Sequence, residues 1–143
     1  MFNKILLAID GSRHADKAMK AAKDLLRMNN ELNLTILSVT EVPNTVFGLD
    51  SEVSPSLFEQ SSTNTSRQLL ESAQEFFRMD GFSVDTVSRF GNPATVICEL
   101  AKYEQYDMIL VGSRGLSAIK GLFMGSVSNQ VAHLAHCPVL IVK

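Results

Sequence analysis

Strand-like runs and helix-like stripes take turns along this chain. The stretch Phe2 to Ile9, rich in leucine and isoleucine and closed by Asp10-Gly11, predicts a strand buried on both faces. Behind it Ala15, Ala18, Met19, Ala22, Leu25 and Leu26 recur at three- and four-residue spacing, with Lys17, Lys20, Lys23 and Asp24 between them. That stripe predicts a helix with Ser12 as its N-cap. Leu32 to Val39 predicts the second strand, and the segment from Thr40 to Pro55, with Pro43, Gly48 and Pro55, a long connection. A helix then begins between Pro55 and Thr65 and runs through Met79 on a stripe of Leu69, Ala73, Phe76 and Phe77. Its first half contains the run SSTNTS, Ser61 to Ser66, whose residues favour helices poorly.

Phe82 to Arg89, after Gly81, predicts a weaker strand. Asn92-Pro93 supplies an N-cap and an N1 proline for a helix with Val96, Ile97, Leu100 and Ala101 inward. Asp107 to Val111 predicts a short strand, Ser126 to His136 a helix ended by Pro138, and Val139 to Val142 the last strand. Five alternations of strand and helix, with no internal repeat, predict an α/β fold: one parallel sheet with helices on both faces.

Composition narrows the choice. The 143 residues, 45% hydrophobic and 20% charged, suit one compact domain over 1–143. A net charge of −2, from 13 basic and 15 acidic residues, offers no excess positive field for nucleic acid or an anionic membrane. The apolar start is too short for a signal peptide or a membrane span, so a soluble cytoplasmic protein is expected. Cys98 and Cys137 read as free thiols that fill the core.

Four glycines fall between Val111 and Gln130, in a segment that also starts a helix. Glycine serves where the chain needs positive φ or where something approaches the backbone closely. In open α/β sheets ligands bind beyond the carboxyl ends of the strands, where neighbouring connections leave for opposite faces. Asp10-Gly11-Ser12 and Gly112-Ser113-Arg114-Gly115 both stand at such ends, so one crevice could hold both. Gly125-Ser126-Val127-Ser128 opens the last helix, where free N–H groups, the positive dipole end and two hydroxyls suit a phosphate. No Gly-Lys-Ser/Thr closes the run, and the first turn AIDGSRHA lacks the dinucleotide spacing. What stands there is G-x-x-G at Gly112 and Gly115, nine residues from Leu116 to Met124, then Gly125-Ser126. Two plainer readings stay open: Asp10-Gly11 as a turn only, and the glycine loop as a structural loop.

From ILLAIDGS through GSRG and GSVS to CPVLIVK the chain resembles the universal stress protein family, and within it the ATP-binding branch. The resemblance implies a Rossmann-like, adenine nucleotide alpha hydrolase-like sheet of five parallel strands in the order 3-2-1-4-5, which sets Asp10 beside Gly112. It further implies that Ala8, Ile9, Asp10 and Val39 border the adenosine. Val111, Gly112 and Gly115 approach the ribose and α-phosphate, with a β-carbon at the glycines expected to fill ligand space, and Ser113 and Arg114 between them are counted among the candidate binding residues. Gly125, Ser126, Val127 and Ser128 hold the phosphates through N–H groups and hydroxyls. Apart from the resemblance, Met124 is a candidate ligand contact by its place beside Gly125. Three or four charge-assisted hydrogen bonds of about 1.5–3 kcal/mol each would support micromolar affinity, roughly −8 kcal/mol. Arg114 and Lys120 are the nearest cations, at positions the motif does not fix.

ATP is the expected cofactor, with AMP or ADP as alternatives and Mg or Mn carried on the phosphates alone. Phosphoryl transfer needs a positioned nucleophile, a held metal and charge stabilisation. With no Walker-type lysine, clear base or Ser-His-Asp spacing, binding is better supported than turnover, and slow hydrolysis or a partner-completed ATPase stays as the alternative. His133, His136 and Cys137 would place two histidines on one helix face, but zinc wants a fourth ligand that the sequence does not offer. The resemblance also implies a homodimer through antiparallel pairing of Val139–Val142 at a sheet edge. The expected function is a nucleotide-responsive stress or regulatory sensor in which residues 41–54 could respond; the other class is a dimeric interaction protein that holds no nucleotide.

Overall fold

The computed structural model describes residues 2–42, 55–116 and 124–143, with helix backbone only at 55–59. Most of the 41–54 connection, Lys120 and most of the Leu116–Met124 spacer therefore lie outside the described residues. The elements are β1 (Lys4–Ile9), α1 (Arg13–Met28), β2 (Asn33–Thr40), α2 (Pro55–Arg78), β3 (Asp85–Phe90), α3 (Pro93–Tyr103), β4 (Met108–Gly112), α4 (Ser126–Leu134) and β5 (Val139–Val142). All strand pairs are parallel and the order is β3-β2-β1-β4-β5, as the sequence predicts, in a single α/β domain.

Helices cover both faces, which is why the central strands read as unbroken apolar runs. Ile5, Leu7 and Ile9 of β1 turn to one core with α1 and α2, where Leu70, Ala73 and Phe77 meet them. Leu6 turns to the other with Ile97, Cys98 and Ala101 of α3 and Val131 of α4. Since α1 leaves β1 for the first face and α4 leaves β4 for the second, the adjacent pair β1 and β4 marks the switch point of the sheet.

The caps explain several boundaries. Ser12 Oγ accepts from Ala15 N at 3.2 Å, and Asn92 Oδ1 accepts from Thr95 N at 3.1 Å ahead of Pro93. The third strand begins at Asp85 rather than Phe82, and the C-terminal cap of α2 takes up Phe82. Gly81 takes φ +82°, Gly81 N donates to Arg78 O at 2.9 Å, and Phe82 N reaches back to Phe77 O at 3.1 Å, the Schellman pattern. The last helix stops at Leu134, two residues before the expected His136, because Ala135 is already extended at φ −64°, ψ 138°. His136 is thus off the helix and shares no helical face with His133. Lys23 also departs from its polar-face assignment. It is buried, and its ammonium donates to Phe76 O and lies 3.4 Å from the Phe76 ring centroid and 3.5 Å from Asp80 Oδ2, so charge and stacking compensate its burial.

Candidate functional site

Beyond the carboxyl ends of β1, β2 and β4 lies a cleft of ≈ 530 Å³, within the range of small-molecule sites. Its floor is apolar, with Ala8, Ile9, Val39 and Val111 from the strands and Ile97 from α3. Asp10, Gly112, Arg114 and Gly115 stand at the β1/β4 side, and Gly125 to Ser128 open α4 there. The structure therefore brings twelve of the fourteen expected residues to one cleft. Ser113 and Met124 do not line it.

Asp10 holds this corner together. Its Oδ1 accepts from Ser12 N at 2.9 Å, and its Oδ2 accepts from Leu116 N at 3.1 Å, which pins the loop after β4 to the end of β1. Ser12 Oγ adds a long bond to Arg114 O at 3.4 Å. The bond to Leu116 gives Asp10-Gly11 a partner 106 residues away, more than a local turn requires.

Packing within the protein already constrains the glycines. A β-carbon on Gly112 would lie 2.7 Å from the carbonyl carbon of His14 and 2.9 Å from Ala15 N, so α1 itself occupies that approach. On Gly115 it would lie 2.6 Å from Asp10 Oδ2, and on Gly125 3.3 Å from Arg114 Cα. The backbone of α1 excludes a side chain at Gly112 before any ligand is considered, while at Gly115 the Asp10 carboxylate, and at Gly125 the loop at Arg114, would have to shift to admit one.

Ser113 and Ser128 also face the protein. Ser113 N donates to Val142 O at 2.7 Å, while its carbonyl accepts from Gly125 N at 2.6 Å and from Ser128 Oγ at 2.9 Å. This stitches the loop, the start of α4 and the end of β5 together, and it commits the Ser128 hydroxyl to carbonyls rather than to a phosphate. Gly125 caps α4 without a side-chain hydrogen bond, and Ser126 is exposed beside it. The first-turn N–H groups of α4 have no intrahelical acceptors, so this end attracts anions.

Sequence reasoning missed one whole wall of the cleft. Ser61, Ser62, Thr65 and Ser66 of α2 line it, with Ser38, Thr40 and Glu41 at the end of β2. The signal was available in the SSTNTS run, a set of hydroxyls four and eight positions before the apolar stripe begins at Leu69. A second hollow of ≈ 510 Å³ lies on the other side of the loop, lined by Arg13, His14 and Lys17 of α1 with Gly115 and Leu116.

Neither cysteine is set up as a nucleophile. Burial pushes both thiols up, helped at Cys98 by the nearby Cys137 and at Cys137 by the charge of Asp107. Among the described residues no three His, Cys, Asp or Glu side chains converge to hold a metal ion, and no helix is long and apolar enough to cross a membrane.

A family model described as the universal stress protein family matches residues 1–143. Universal stress protein YxiE of Bacillus subtilis (strain 168) is 39% identical over 149 residues, covering 100% of each chain. Among solved structures, hypothetical protein MJ0577 superposes with a TM-score of 0.87 at 26% identity, over 100% of this chain and 96% of its own. A universal stress protein family protein from Arabidopsis thaliana, At3g01520, solved with AMP bound, reaches 0.73 at 24%, over 99% and 91%. A universal stress protein in complex with cAMP reaches 0.74 at 24%, over 99% and 97%.

Proposed function

Since this chain belongs to the universal stress protein family, we propose that it binds an adenine nucleotide, ATP foremost, in the cleft at the β1/β4 switch point. In this reading residues 1–143 form one universal stress protein domain that works in the cytoplasm as a nucleotide-responsive stress or regulatory sensor. The observation that carries the proposal is the pairing, in one cleft, of an apolar floor with a start of α4 that no side chain caps. A base fits the first, and phosphates fit the second. The solved relatives with AMP and with cAMP favour an adenine nucleotide over other phosphates.

The nucleoside lies against Ala8, Ile9, Val39 and Val111, and the phosphates reach the N–H groups of Ser126, Val127 and Ser128, with the Ser126 hydroxyl and Arg114 beside them. Magnesium or manganese rides on the phosphates. Hydrolysis is slow at most, because the sequence offers no Walker-type lysine, clear base or Ser-His-Asp spacing to drive it. Homodimerisation uses β5, an apolar edge strand on which Leu140 is 39% exposed. Light scattering over a concentration series tests that arm, and a monomer throughout rejects it.

Calorimetric titration with ATP, AMP and cAMP, paired with amide chemical-shift mapping, tests the binding. Micromolar ATP binding with shifts at Gly125, Ser126 and Val127 is the expected result. Flat heats to millimolar nucleotide, or shifts confined to the opposite end of the sheet, would overturn it and leave a dimeric interaction module as the alternative.

A further inference from the structure

One face of α2 changes its chemistry partway along. Leu69, Ala73 and Phe77 pack over the sheet, while Ser61, Ser62 and Thr65, one to two turns before them on the same side, line the cleft. The changeover falls at Ser66, whose hydroxyl meets that of Ser38 at 3.0 Å and that of Ser88 at 2.9 Å, on paired positions of β2 and β3. A helix of 24 residues rises roughly 36 Å, whereas the eight residues of β2 span roughly 26 Å. Since Ser61, Ser62 and Thr65 line the cleft together with Val39, Thr40 and Glu41, the excess length lies at the start of α2, beyond the end of β2. Serine and threonine weaken a helix interior, and against a hydrophobic core this face would need apolar side chains. Hydroxyls instead suit a wall that exchanges hydrogen bonds with water and ligand.

The wall's position limits what it can touch. In the sheet β2 and β4 flank β1, so their ends lie about 10 Å apart at ordinary strand spacing. The anion-attracting start of α4 belongs to the β4 side, and the hydroxyls of α2 to the β2 side. Neutral hydroxyls there match uncharged donors and acceptors. Thr65 Oγ1 donates to Ser61 O at 3.1 Å, which leaves that oxygen to accept from a ligand.

We propose that Ser61, Ser62 and Thr65 determine specificity in this cleft by hydrogen bonding the nucleoside part of the ligand, its sugar hydroxyls and base edge, and not its phosphates. This rests on the nucleotide reading above. The test is the triple variant Ser61→Ala, Ser62→Ala, Thr65→Ala, titrated calorimetrically with adenosine, AMP and ATP. Alanine favours helix over serine and threonine, so circular dichroism and melting temperature should hold. Two or three lost hydrogen bonds predict weakening on the order of 30-fold, by the same factor for all three ligands. Thr65→Ser, which keeps a hydroxyl, should bind like the parent protein. Unchanged affinity in the triple variant, or a loss that grows with each added phosphate, would overturn the wall while leaving nucleotide binding intact. A parent protein silent to all three ligands would overturn the nucleotide reading and this inference with it.

Discussion

Asp10 and Asp107 stand at opposite ends of the same strand pair and do related work by different means. At the carboxyl end, Asp10 extends one oxygen to Ser12 N and the other to Leu116 N, joining the end of β1 to the loop after β4. At the amino end, Asp107 uses a single oxygen, Oδ2, to accept from both Asn3 N and Lys4 N at 2.8 Å, joining the start of β4 to that of β1. The amino end is closed further by Lys4, whose ammonium donates to Glu104 O and sits 4.4 Å from the Tyr106 ring centroid. The carboxyl end stays open because α1 and α4 depart to opposite faces. A carboxylate clamp alone therefore does not make a site; divergence of the connections does.

The largest expected effect tests the packing that sets up the open end. Gly112→Ala forces a β-carbon into the backbone of α1 at His14 and Ala15, neither of which can yield by rotating a side chain. Unfolding free energy should fall by about 3 kcal/mol, measured by urea denaturation. A loss under 0.5 kcal/mol would mean that α1 can slide away from β4, and that the glycine serves a ligand instead of the helix.

Amide replacement separates the two aspartates directly. Asn has one acceptor oxygen, so Asp107→Asn can keep both its N–H bonds, while Asp10→Asn must turn an NH2 toward Ser12 N or Leu116 N. Asp10→Asn should cost about 1–2 kcal/mol and loosen the loop, with a smaller loss for Asp107→Asn. Nucleotide affinity should drop only in the Asp10 variant. Equal costs in parallel denaturation curves would show that the two-oxygen clamp carries no extra weight.

Much of this architecture was legible in the residues. Buried runs such as Ile5–Ile9 and Met108–Val111 announce strands covered on both faces, and Ser12 and Asn92-Pro93 cap helices as their side-chain chemistry requires. The identities of Gly112, Gly115 and Gly125 were legible too, but their reason was not. A glycine records that something is close without saying what, and only the fold reveals His14, Asp10 and Arg114 as the neighbours. The α2 wall was hidden because propensity is local, whereas Ser61–Ser66 answer to the cleft that β2 and β4 create. Strand β3 and the end of α4 shifted for the same reason, since a Schellman cap and the extended Ala135 use residues that the apolar pattern assigned to the element itself.

The open end is also divided between groups that hold it and groups that face it. Ser128→Ala removes a buried hydroxyl that bonds the Ser113 carbonyl, which still keeps Gly125 N as a donor. The expected cost is about 1 kcal/mol in stability with nucleotide affinity within about twofold. Ser126→Ala, at an exposed position, should reverse that pattern. If Ser128→Ala instead weakened nucleotide binding at unchanged stability, its hydroxyl would have to turn to the phosphates on binding.

The smallest effect concerns acid, and it belongs to the closed end. Hydrogen bonds from Asn3 N and then Lys4 N, aided by the Lys4 charge against a small opposing cost of burial, hold the Asp107 carboxyl below the usual aspartate range. A carboxyl whose folded value is depressed adds stability that is complete above its unfolded value, about 3.9, and disappears as pH falls through the lower folded value. Since the group is open to solvent, the change should be modest. Denaturation midpoints of the parent protein and Asp107→Asn should run parallel above about pH 5 and converge below about pH 4. The acid slope left in the variant should shrink again on adding Glu75→Gln, because Arg78 bonds the Glu75 carboxylate and lowers it in the same direction. Curves that stay parallel down to pH 2 would show that the clamp at the amino end works as well protonated as charged, and that shape, not charge, closes that end of the sheet.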